Sequence, residues 1–186
     1  SQDLPAFVVM VSRGKGSRAA DAQTLFARLW GSGYLPAKYQ GVVFRNQGAP
    51  VLNLANPSGV SASGQRRVLN AINQLNHQRF KLTGDAEIQS RIAQFELAFR
   101  MQAAAPELLD FSGETAGLLE AYGVNREGER AQSYAVNCLL ARRLVERGVR
   151  FVQIYHGAGS KWDSHSKMEA NHSRQCLQSD LPTAGL

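Results

Sequence analysis

Apolar residues run unbroken through "AFVVMV" at 6–11 and give way to the polar "SRGKGS". A short β-branched run without alternation is the pattern of a strand covered on both faces, so it predicts an interior strand of a parallel sheet. The period then changes. "DAQTLFARLWGSG" sets Leu25, Phe26, Leu29 and Trp30 at helical spacing behind Asp21, an N-cap type, and ends on Gly, which predicts a short helix. From Tyr34 to Ser61 the helical period is lost, and "GVVF" and "VLNL", set among Gly, Pro and Asn, predict two short strands in a loop-rich stretch.

Helical spacing returns in "SASGQRRVLNAINQLNHQRFKLTG", with Val68, Ile72 and Leu75 on one apolar face and Gly84 near the end. His77, among Asn and Gln, reads as a solvated helical histidine. A second stripe, Ile88, Ile92, Phe95 and Phe99, predicts a core face on a helix that stops or kinks before Pro106. "SGETAGLLEAYG" predicts a short helix capped by Ser112. "REGERAQSYAVNCLLARRLVERG" predicts a long one that packs Tyr134, Cys138, Ala141 and Val145, gains from Arg142 and Glu146 at i, i+4, and stops at Gly148. It leads directly into "VRFVQIY" at 149–155, a largely buried strand, so the pair forms the αβ half of an α/β unit. No repeat, low-complexity tract or linker divides the chain.

Composition narrows the function classes. With 44% apolar and 19% charged residues the chain can bury a core, and no run reaches the roughly 18 apolar residues that span a bilayer. The net charge of +6 comes from Lys and Arg that are scattered or in short pairs. That argues against a nucleic-acid footprint, which needs a basic stripe interleaved with aromatics, and suits the attraction of a small anionic substrate. Cys138 and Cys176 lie in no CxxC pair and form no framework; Cys138 reads as a buried small hydrophobe.

The chemistry concentrates behind the last strand, in "HGAGSKWDSHSKMEANH". In open α/β sheets ligands bind beyond the carboxyl ends of the strands, where His156 leaves the sheet. Gly157 opens a small-residue turn that admits a close backbone or ligand approach. Asp163 and His165, two residues apart, could ligate one divalent metal, with Trp162 anchoring the loop. Glu169 and His172, four and seven residues beyond His165, could be further ligands or supporting partners. Each also has a structural explanation: Asp163 as the N-cap of a helix starting near Ser164, Glu169 and His172 in water, His156 bonded to a backbone carbonyl. GxSxG, HExxH, P-loop and GxGxxG are missing, and "GKGS" at 14–17 lacks the P-loop's upstream Gly and spacing.

The blocks "LPAFVVMVS", "GYLPAKYQGVVFR", "PVLNLANPSGVS", "FELAFRMQAAAPELLDFSGE" and "LLARRLVERGVRFVQIYHGAGSKWDSHSKMEANH", in that order, closely resemble the bacterial family called domain of unknown function 1501, sulfatase-like proteins of the alkaline phosphatase superfamily. The resemblance implies an α/β fold, a partial alkaline phosphatase-like sandwich whose mainly parallel central sheet is flanked by helices. It also implies divalent metals, zinc, calcium or another, that clamp a sulfate or phosphate ester during in-line attack. The family's H-G-G…W-D-T-H block falls on His156, Gly157, Trp162, Asp163 and His165. Asp163 and His165 would then be metal ligands, His156, Gly157 and Trp162 would line the site, and Glu169 and His172 would stand behind it.

Relatives carry a twin-arginine export signal and an early "GGPS"-type loop, and continue into a "GGEFGR" loop and a later Asp-His pair. On that comparison residues 1–186 are one sulfatase-like domain truncated at both ends, inactive alone, with the nucleophile elsewhere. The parent would be periplasmic or extracellular and would act on a small anionic ester or a sulfated or phosphorylated polysaccharide. The alternative is a noncatalytic secreted binding or scaffold protein of the same fold.

Overall fold

The computed structural model describes residues 2–12, 28–156 and 162–186. Three parallel strands, β1 (Phe7–Val11), β2 (Val42–Phe44) and β3 (Phe151–Tyr155), form a sheet of order β2-β1-β3. Around it lie α1 (Ala62–Thr83), α2 (Ala86–Leu108), α3 (Ala116–Ala121), α4 (Glu129–Glu146) and α5 (Met168–Gly185). β1 is central, as its apolar run predicts: Val8, Val9 and Met10 are fully buried, each worth about 2 kcal/mol of transfer free energy. Val8 pairs with both Val42 and Val152, which fixes the register on either side. Gly41, entering β2, has no room for a side chain, because a Cβ would lie 2.9 Å from Phe7, Val9 and Trp30. Of the helix expected between Asp21 and Gly31, residues 28–30 are helical; Asp21, Leu25 and Phe26 lie outside the described residues, as does "GKGS".

Several expectations are corrected. "VLNL" forms turns rather than a strand: Asn53 adopts φ 56°, and the Leu54 carbonyl accepts from Gln102 Nε2 at 2.7 Å instead of from a neighbouring strand. In α1 the buried apolar residue is Leu69, whereas Val68 and Leu75 are exposed. The reason is that α2 packs along the side carrying Arg66 and Asn73, both bonded to Glu96. α2 itself has two faces. Ile88 is buried near its start, but Met101, Ala105 and Leu108 are buried on nearly the opposite side, and Phe95 is exposed. Its first half packs on α1 and its second half on the sheet, so no single stripe describes it.

Pro106 sits in the last turn of α2 without ending it; lacking an N–H, it cannot donate to the Gln102 carbonyl one turn back, and beyond it Arg143 donates to the carbonyls of Leu108 and Asp110. Thr115 rather than Ser112 caps α3, accepting from the Leu118 amide at 3.3 Å. α4 buries Cys138 and Ala141 as expected, together with Leu139, Leu140 and Leu144, but exposes Val145. The Arg142–Glu146 pair forms at 2.8 Å, and Gly148, at φ 84°, turns the chain toward β3. β3 is only partly buried, and Phe151 is exposed.

Candidate functional site

All three strands run the same way, so Ser12, Asn46 and His156, which follow β1, β2 and β3, emerge at one edge of the sheet. The Ser12 amide donates to the Tyr155 carbonyl at 2.9 Å and extends the β1–β3 ladder by one bond. Beneath this edge lies the amino-terminal half of α4. Ser133, Asn137, Leu140 and Leu144 fall at i, i+4, i+7 and i+11 on one helical face. All four are buried, the first two polar and toward the carboxyl edge, the last two apolar and in the main core.

Those polar groups are bonded across the sheet edge. Asn137 Nδ2 donates to Ser12 Oγ at 2.9 Å in a fully buried contact. Asn46 Nδ2 donates to both the carbonyl and the hydroxyl oxygen of Ser133, at 2.8 and 2.9 Å. A buried polar pair is stable only when it is satisfied, and it then fixes geometry more sharply than apolar packing does. Sequence reading passed over Ser12, Asn46, Ser133 and Asn137. The available signal was that Ser133 and Asn137 interrupt the apolar stripe of α4.

On the rim, Tyr134, His156, Trp162 and His172 form a chain of ring contacts. Tyr134 meets His156 edge-on with centroids 4.8 Å apart. His156 lies 5.9 Å from Trp162, and Trp162 6.0 Å from His172. His172 donates from Nε2 to the Trp162 carbonyl at 2.8 Å, which ties the loop to α5. The Tyr134 hydroxyl lies 3.3 Å from Thr183 Oγ1, and burial raises its pKa despite that contact. Trp162 nevertheless remains 45% exposed.

Asp163 Oδ1 stands 3.2 Å from His165 Nε2, both side chains open to solvent. Two ligands of one tetrahedral zinc, each bound at its usual distance, are roughly 3.3 Å apart. The pair therefore fits one divalent ion as two of its ligands; the same spacing makes an ion pair when His165 is protonated. Asp163 does not cap a helix. α5 begins only at Met168, behind Lys167 at φ 50°, with no side-chain cap, and Ser164 accepts a short bond from Asn171. His165 thus precedes the helix instead of sharing its face with Glu169 and His172. Glu169 is in the first turn of α5, and His172 is engaged by Trp162. Gly157 lies outside the described residues. Among the described residues no three His, Cys, Asp or Glu side chains converge as a metal-binding group, and no helix is long and apolar enough to cross a membrane.

A family model described as "Protein of unknown function (DUF1501)" matches residues 1–186. Comparison with curated proteins and with solved structures gives no match.

Proposed function

We propose, because the chain belongs to the DUF1501 family and joins an Asp–His pair to the carboxyl edge of a parallel sheet, that it carries part of the site of a metal-dependent sulfate or phosphate ester hydrolase. The observation that supports this most directly is the 3.2 Å approach of Asp163 Oδ1 to His165 Nε2, the spacing of two ligands on one cation. An imidazole in the set favours zinc or another transition metal over calcium, which prefers oxygen ligands. A bound cation would supply Lewis acidity to an ester oxygen. In the alkaline phosphatase and sulfatase superfamily that the sequence resembles, such an ester is held between metal and nucleophile.

The chain's own residues then have separate tasks. Asp163 and His165 hold the cation, and His156 and Trp162 wall the approach. The Asn137–Ser12 and Asn46–Ser133 pairs keep the sheet edge beneath them rigid. The net charge of +6 draws anions toward the molecule. On this reading the protein acts in the periplasm or outside the cell, a placement that rests on the family resemblance alone.

Zinc binding measured by titration calorimetry tests the reading. Asp163→Asn and His165→Ala should each weaken zinc by tenfold or more, while His77→Ala, on α1, leaves it unchanged. Equal affinity in all three variants would overturn it. High solvent exposure of both side chains favours the second reading, a noncatalytic binding protein in which they form only an ion pair, and chelator-insensitive stability of the wild type would support that instead.

A further inference from the structure

Trp162 is held by two residues without being covered. Imidazoles of His156 and His172 flank the indole, and its own carbonyl is fixed by His172 Nε2. Nearly half its surface still faces solvent. A tryptophan needed only to anchor a loop gains most by turning its ring into the core; an immobilised ring left open has already lost the freedom that a ligand would otherwise have to take from it. The adjoining side chains narrow the ligand further. Asp163 offers carboxylate oxygens and His165 an imidazole, both exposed, one and three residues after Trp162 in the same loop. A purely aromatic ligand would cover the indole and leave those groups unmatched, and a bare oxyanion would leave the indole uncovered and meet the like charge of Asp163.

We infer that Trp162 is the stacking platform for a pyranose ring, whose C–H face lies on the indole while its hydroxyls and ester group reach Asp163 and His165. This makes the substrate class a sulfated or phosphorylated saccharide, and in that part it rests on the hydrolase reading. Sugar stacking itself needs no metal, which allows the two to be tested apart.

The chain has two tryptophans, so Trp30→Phe leaves Trp162 as the sole indole reporter. Its emission is followed in excess EDTA during titration with N-acetylglucosamine 6-sulfate, N-acetylglucosamine, inorganic sulfate and phenyl sulfate. Both sugars should shift the emission to shorter wavelength and saturate, and inorganic sulfate should not. Saturation-transfer NMR should then show sugar binding weakened about tenfold by Trp162→Ala and only partly by Trp162→Phe, which keeps a smaller ring. An unchanged emission with both sugars, or a shift with phenyl sulfate alone, overturns the platform. If Asp163→Asn abolishes zinc binding but the sugar shift persists, both readings stand; if zinc binding is indifferent to that change while the sugar shift persists, only the hydrolase reading falls.

Discussion

Cys138 and Cys176 share a functional group and little else. Burial pushes the Cys138 thiol up to about 11, and its side chain is sealed beneath α4, whereas Cys176 lies exposed on α5. Thiolate is the reactive form, so a thiol reagent at mildly alkaline pH should label one cysteine per folded chain and two in denaturant. Rapid labelling of both in the native state would contradict the packing of α4. The same residue-scale contrast explains what the sequence showed of the site. The proximity of Asp163 to His165 was readable because both belong to one short loop. Ser12, Asn46, Ser133 and Asn137 were not, because each acquires its role only from a partner at least 87 residues away.

Between α1 and α2 the link is polar. Arg66 donates to both carboxylate oxygens of Glu96, at 3.0 and 2.8 Å, and Asn73 donates to the same group at 2.7 Å. The Arg66 hydrogen bonds and charge, with help from Asn73, hold the Glu96 carboxyl below its ordinary 4.5, although desolvation pulls the other way. The folded carboxyl therefore binds a proton less readily than the unfolded one, and its contribution is present above about pH 4.5 and lost as the pH falls through the folded value. Glu96→Gln should cost about 1 kcal/mol near neutral pH, read from the urea midpoint, and the gap from wild type should narrow in acid. A gap that does not change with pH would assign the loss to packing. Periodicity located these helices and misjudged their faces for a related reason. Spacing reveals that a side is apolar, not which neighbour takes it, and α2 changes neighbour halfway along.

At the scale of the whole molecule, the sheet was the most legible part. β1 announces itself as central through an unbroken apolar run, and "ERGVRFVQIY" joins a helix stop to a strand start within a few residues. "VLNL" was misread because apolar residues at the margin of a core need not be extended; Val51 and Leu54 pack against the main cluster from turns. What binds the distant segments at the carboxyl edge is the Asn137–Ser12 bond, which spans 125 residues. Asn137→Ala would leave a buried hydroxyl without its donor, at a cost of about 1–3 kcal/mol. Chemical denaturation should show that loss, and an unchanged midpoint would mean that the edge does not depend on this bond.

The face of α4 that carries Ser133 and Asn137 at one end and Leu140 and Leu144 at the other has a genetic consequence. Inserting one residue between Asn137 and Leu140 rotates one end against the other by about 100°, so that either the amide leaves the sheet edge or both leucines leave the core. Loops between elements can absorb such length changes; this helix cannot be lengthened between those positions without disturbing either folding or the sheet edge. Natural length variation should therefore fall in the connections, and α4 should change only by substitution.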